Sequence, residues 1–238
     1  IYVLIRLFFN MFLVSHEIAL VFTILGTLSM LLGSLLAMVQ WDLKRMLAYS
    51  SVAQVGYMVL GIAFGSALGV TASLVHMFNH ALMKGGLFLA MGCIALRLGS
   101  VEIDDMRGIG RTMPLTMLAW VLGGLGLIGV PTTVGFVSKW YLGLGALEAG
   151  HDWAVYVLAG SGLLNAVYFL PLVRAAWFEP PPEEWPHERS FGRKETAWLL
   201  LLPPLATALA TLVWGLFASM PGTPLDWVQF IAARKYAP

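Results

Sequence analysis

The chain has 238 residues, of which 59% are apolar and only 11% charged, with a mean hydropathy of +0.80 and a formal net charge of +1. This composition excludes a water-soluble domain of this size, provides no basic footprint for nucleic acid, and describes an all-α polytopic membrane protein. The single cysteine, Cys93, lies in an apolar run, so neither a disulfide framework nor a thiolate metal site can be built from this chain.

The first stretch, IYVLIRLFFNMFLVS, carries Arg6 and is too short to span a bilayer; it reads as the end of a truncated helix. Six apolar segments of spanning length follow, at 18–40, 46–66, 71–96, 114–147, 153–178 and 196–218. Residues 1–218 are therefore expected to form a transmembrane helical domain of six complete helices and one truncated helix. Residues 219–238 mix Trp227, Phe230 and Ile231 with Arg234 and Lys235, a pattern that suits a helix lying at the interface and equally a flexible tail.

Basic residues divide unevenly between alternate connections. Lys44, Arg45, Arg97, Arg107, Arg111, Arg174, Arg189, Arg193 and Lys194 fall on one side, and only Arg234 and Lys235 on the other. The positive-inside rule then places the connections at 41–45, 97–113 and 175–195 in the cytoplasm and the C-terminus outside. The two longer ones, RLGSVEIDDMRGIGRTM and the proline-rich EPPPEEWPHERSFGRK, read as surface connectors and are too short for a soluble domain.

Within the third span, SLVHMFNHALMKGGLFLAMG places Ser73, His76, His80 and Lys84 on a polar stripe roughly 12 Å long. A lysine near the bilayer centre costs roughly 2.5–3.5 kcal/mol on insertion scales, so such a residue faces a bundle interior or a hydrated path. Lys84 stands about 13 residues from either end of its segment, too deep to snorkel to the interface.

The fourth span, 114–147, is about ten residues longer than one crossing requires. Its centre, GLGLIGVPTTVGFVSKWYLGLGAL, holds Pro131 between Gly129 and Gly135, followed by Lys139. Proline removes a backbone donor and clashes with the preceding turn, so a helix broken near Pro131 is expected, with Lys139 just beyond the break. Unwound backbone at membrane depth is tolerated inside protein or along a water-filled cavity, where transporters build ion sites. A simple proline kink, with Lys139 paired to a structural carboxylate, is the alternative.

Three chemistries can account for the histidine stripe. A metal or haem site can use His76 and His80 at i, i+4, but no carboxylate or thiolate accompanies them in that helix, and Lys84 would repel a cation. The histidines can also serve only to tie helices together. A proton relay needs groups that exchange protons at hydrogen-bond or one-water spacing, and His76, His80, Lys84 and Lys139 fit it best. No metal, no cofactor and no bond-making chemistry are expected of this polypeptide.

In order and spacing, WDLKRMLAYSSVAQVGYMVLGIA, HMFNHALMKGGLFLAMG and IGVPTTVGFVSKW resemble the antiporter-like proton-translocating subunits of respiratory complex I, membrane-bound hydrogenases and multisubunit Mrp cation/proton antiporters. The NHALMKG wording and the terminal PLDWVQFIAARKY look most similar to the D-type Mrp subunit. The resemblance covers most of the chain and implies the C-terminal half of an inverted-repeat antiporter-like fold. It also implies that Lys139 belongs to the proton path and that His76, His80 and Lys84 belong to the central polar axis. Asp42, Lys44 and Arg45 match the charged start of a family helix, where a coupling role and a membrane-end anchor are both open. The family's glutamate and lysine pair of the earlier repeat has no counterpart in this sequence.

The function implied is proton translocation as a subunit of an Mrp-type Na⁺/H⁺ antiporter, with a pump subunit of an NADH:quinone oxidoreductase or membrane-bound hydrogenase as the alternative. A non-transporting scaffold is the rival from another class. The expected partners are other membrane subunits, protons and the lipid bilayer, with Na⁺ passing elsewhere in the complex if it is transported. The expected location is the bacterial or archaeal cytoplasmic membrane.

Overall fold

The computed structural model describes residues 1–11, 15–182, 185, 188–189 and 194–236, with the side chains of 235 and 236 excluded. Arg193, counted above among the basic residues, and part of the opening stretch lie outside the described residues. The described residues are helical throughout, apart from loops and one isolated β-bridge. The helices are α1 (Tyr2–Asn10), α2 (His16–Met38), α3 (Leu43–Ala63), α4 (Ala67–Leu98), α5 (Ile109–Thr112), α6 (Pro114–Ile128), α7 (Val134–Glu148), α8 (Asp152–Phe178), α9 (Trp198–Leu216) and α10 (Pro224–Tyr236).

Five of these, α2, α3, α4, α8 and α9, are long and apolar enough to cross a membrane. They match five of the six expected spans to within a few residues. The fourth expected span is divided: α6 and α7 are 15 residues each, about 22 Å apiece, and residues 129–133 between them are non-helical. The break is therefore real and not a kink. Its ends are set by Gly129, in the left-handed region at φ +90°, and by Thr132, a non-glycine residue at φ +80°.

Local sequence starts and stops the other helices by familiar means. The Ser15, Asp42 and Ser66 side chains accept from the backbone N–H groups of Ile18, Arg45 and Gly69 at the N-termini of α2, α3 and α4, and Gly99 at φ +70° ends α4. At the start of α6, Pro114 takes the first helical position while the Glu195 carboxylate accepts from Leu115 N and Thr116 Oγ1, each at 2.7 Å.

Helix α4 is the axis of the bundle and packs against α3, α6, α7, α9 and α10. At 32 residues it is about 48 Å long, so it extends beyond a hydrocarbon core of about 30 Å. Helices α2 and α3 lie against each other at glycines: a Cβ on Gly33 would stand 2.6 Å from Ala53 N. The outer face of α2 leaves Leu20, Val21, Ile24, Leu25 and Leu28 exposed, as a lipid- or protein-facing surface requires. Arg6, on α1, is exposed.

The three loops richest in basic residues meet at one end of the bundle. Asp42 and Glu102 form an antiparallel bridge, Arg189 N donates to Arg97 O at 2.8 Å, Trp185 Nε1 donates to Asp105 O at 3.0 Å, and Arg97 pairs with Glu188 at 2.7 Å. In the C-terminal tail, residues 224–236 form α10. Helix α10 packs on α4, buries Leu225 and Ala232, and exposes Trp227, Phe230 and Ile231.

Candidate functional site

Lys139 is placed by the way α6 ends. Gly129 N is taken by Leu125 O and Gly126 O, and Val130 N by Leu125 O, which leaves the carbonyls of Leu127 and Ile128 pointing past the helix terminus without a backbone donor. The Lys139 ammonium donates to both, at 2.7 and 2.9 Å. It also sits 4.9 Å from the centroid of the buried Tyr57 ring, within cation–π range. Two carbonyls, the negative end of a helix dipole and an aromatic face together compensate for the water this ammonium gives up. Among the described residues no carboxylate takes part, so the structural ion pair considered from the sequence is not what holds Lys139 there. The lysine also lines a mostly apolar groove of about 540 Å³ between α7 and α8.

Lys84 is held differently, on an unbroken helix. Its ammonium donates to Leu47 O at 2.7 Å and to the Ser50 hydroxyl, both on α3. Ser50 and Ser51 hydroxyls donate to the same Leu47 carbonyl at 3.0 Å each, so one carbonyl serves several donors. Lys84 is only 5% exposed, and an ammonium so buried must be satisfied by such neighbours.

The histidines run along α4 from Lys84 toward Lys139. The rings of His80 and His76 are parallel, with centroids 6.4 Å apart. His76 is fully buried and bonded at both nitrogens: Nε2 faces Gln54 Oε1 at 3.1 Å and Nδ1 faces Ser138 Oγ at 2.8 Å. Which of the two nitrogens carries the proton follows the tautomer, and Ser138, the partner at Nδ1, is the residue immediately before Lys139. His80 Nε2, Gln54 Nε2, Tyr57 OH and Ser161 Oγ are buried without a protein partner among the described residues. Sites of this kind are satisfied by ordered water.

The four expected relay residues thus come together in one interior region. The three expected break residues, Gly129, Pro131 and Gly135, lie at it: a Cβ on Gly129 would stand 2.8 Å from Lys139 Cδ, and one on Gly135 would collide with the Gly126 carbonyl. Asp42, Lys44 and Arg45 lie apart from this region, at the start of α3. There Asp42 Oδ1 caps the helix through Arg45 N at 2.9 Å, and the side chains of Lys44 and Arg45 are exposed.

Sequence reasoning missed the uncharged members. Besides Gln54, Tyr57 and Ser138, the structure brings in Ser50 and, from α8, Asn165. Asn165 Nδ2 donates to Leu127 O at 3.2 Å, and its Oδ1 accepts from Tyr168 OH at 3.1 Å and Ser34 Oγ at 3.3 Å. The available signal was an amide in the middle of an otherwise apolar span.

Residues 1–164 match the family described as "NADH:quinone oxidoreductase/Mrp antiporter, TM". The chain is 46% identical over 195 residues to NADH-quinone oxidoreductase subunit N of Desulforudis audaxviator, a match that covers 79% of this chain and 39% of that protein. Its fold is similar to a chain of the Mrp complex from Dietzia sp. DQ12-45-1b, with a TM-score of 0.87 and 26% identity over 99% of this chain and 50% of that one. It is also similar to a chain of respiratory complex I from Thermus thermophilus, with a TM-score of 0.77 and 25% identity over 93% of this chain and 46% of that one. The chain spans about half the length, or less, of the relatives it matches. With the family matched over more than half of its residues and the fold similar to chains of two solved complexes, this all-helical membrane chain belongs to the NADH:quinone oxidoreductase/Mrp antiporter family of antiporter-like membrane subunits.

Proposed function

We propose that this chain is the proton-translocating part of an antiporter-like membrane subunit, and that its complex is of the NADH:quinone oxidoreductase type. The observation that carries the reading is the pair of interior lysines, Lys84 and Lys139, each held by uncharged acceptors, with the stacked rings of His80 and His76 and the His76–Ser138 contact in the same interior. An ammonium paired with a carboxylate is locked by charge; one held on carbonyls and a hydroxyl can exchange its proton without leaving a buried anion behind. Protonation of Lys139 would be coupled through Ser138, His76 and His80, with water at the unpartnered nitrogens, to Lys84. A neighbouring subunit would drive the charge state of the chain.

The choice of complex is supported by the naming of its relatives, such as the subunit N protein cited above, which favours the redox complex over the Mrp antiporter expected first. The Mrp reading stays as the second, since the TM-score to the Mrp chain is the higher of the two structural comparisons. In either case we take α6 and α7 as one interrupted crossing, giving six spans, and the chain as the later of two inverted repeats. We place it in a bacterial or archaeal cytoplasmic membrane, with the end bearing the 97–113 loop in the cytoplasm and α10 an interfacial helix on the other side.

The test is Lys139→Ala in the intact complex, purified and reconstituted into vesicles. Proton transport is expected to fall to background while the assembly keeps its subunits; normal transport in that variant would sink the assignment. Mass spectrometry of the intact assembly decides between complexes. Iron–sulfur and flavin partners indicate the redox pump, and small membrane subunits alone indicate the antiporter.

A further inference from the structure

The histidine path leaves a second set of interior polar groups without a role. Asn165 and Ser34 are each 0% exposed, and Tyr168 is buried beside them. Buried amides and hydroxyls of this kind are costly unless fully bonded. Asn165 donates to the Leu127 carbonyl, which the Lys139 ammonium also uses, and its oxygen accepts from Tyr168 and Ser34. Asn165 of α8 and Lys139 of α7 are therefore joined at one carbonyl of α6, away from the histidines of α4.

An amide does not relay protons as a hydroxyl or an imidazole does, so this route is not a wire. Its chemistry suits another task. A carbonyl at membrane depth needs a donor at all times, and the Leu127 carbonyl has none in its own helix. If Lys139 were its sole partner, each departure of the amine would leave that carbonyl bare. Asn165 keeps the carbonyl bonded whether or not the amine is on it.

We propose that Asn165 is a positioning residue that makes the helix break reversible for Lys139. It holds the Leu127 carbonyl while the amine leaves and returns, and its oxygen is itself held by the Tyr168 and Ser34 hydroxyls, so the amide stays aimed at the break. This inference rests on the proton-translocation reading above. Among the described residues, the titratable groups facing the bridge are Tyr57 of α3, His76 and Lys84 of α4, Lys139 of α7 and Tyr168 of α8.

The test is Asn165→Leu in the intact complex, with proton transport measured as a function of pH and the amount of assembled complex measured alongside. Transport is expected to fall about tenfold, the rate equivalent of one net hydrogen bond, at nearly normal assembly, and its pH profile is expected to move. An unchanged profile overturns the proposal, whether transport is normal or falls only in proportion to assembly. If Asn165→Leu does not assemble, Tyr168→Phe keeps the ring and its packing and is read the same way, an unmoved profile again overturning the proposal. Lys139→Ala, run in parallel, separates the two ideas. A silent Lys139→Ala with an unmoved Asn165→Leu removes only the role of Asn165; a normally transporting Lys139→Ala removes the relay and this inference with it.

Discussion

Lys84 and Lys139 bring the same ammonium into the same bundle, and the chain satisfies them in opposite ways. For Lys84 the supporting helix stays whole, and the acceptors come from α3: a serine hydroxyl and a carbonyl already in use within its own helix. For Lys139 the backbone itself is opened, and the acceptors are two carbonyls that α6 leaves unpaired at its end. The first arrangement is written in side chains and can be edited one residue at a time. The second is written in φ and ψ, and side-chain editing reaches it only where glycine or a strained residue makes the turn.

That difference can be broken or sharpened experimentally. The largest effect is expected at Gly129. A valine there must adopt φ +90°, which alone costs about 1–3 kcal/mol, and its Cβ would press on the Lys139 side chain. Gly129→Val should therefore lose transport and lower the melting temperature of the purified assembly; a variant that melts and transports normally would show that the break does not depend on this turn. Ser50→Ala is expected to come next. It removes a hydroxyl partner of Lys84 and should cost about 1–3 kcal/mol, seen as a lower melting midpoint, with transport reduced but not abolished because the Leu47 carbonyl remains.

Asp42→Ala tests the region outside the comparison. Loss of an N-cap should cost about 0.5–2 kcal/mol in thermal stability and leave transport per assembled complex unchanged. A specific transport defect would instead favour a coupling role for the start of α3. Tyr57→Phe should do least. The ring face under Lys139 is kept and the hydroxyl removed has no hydrogen-bond partner among the described residues, so stability should stay within about 0.5 kcal/mol and transport close to normal. Tyr57→Leu, which removes the face, should be clearly worse in the same vesicle assay.

The sequence made one half of this comparison easier to see than the other. His76, His80 and Lys84 repeat at four-residue steps in an apolar run, so the face they share on α4 follows from helix geometry alone. The interruption near Pro131 was also readable, because proline between glycines in an overlong span has few other meanings. What could not be read was where the Lys139 amine goes. Its acceptors are backbone carbonyls of Leu127 and Ile128, which any residue type would present, and they are exposed only because α6 stops at Gly129. Thr132 was a poor candidate for a positive φ on its side-chain chemistry. The conformation is set by packing, since a Cβ on Gly215 of α9 would run into the backbone of Thr132 and Thr133. Asn165, Tyr168 and Ser34 look like isolated polar residues along their spans, and their partnership appears only when α2, α6 and α8 are brought together.

Helix α6 is gripped at both ends. The Glu195 carboxylate, from the connection between α8 and α9, holds its first turn, and the Lys139 ammonium holds its last carbonyls. A rod about 22 Å long that resists compression along its axis works as a depth gauge: it fixes how far below the loop layer the amine of Lys139 stands. A change of length at that connection is therefore felt as a change of level at the lysine, and a longer or shorter α6 would hang the same ammonium at a different height in the bilayer without altering any of its bonds.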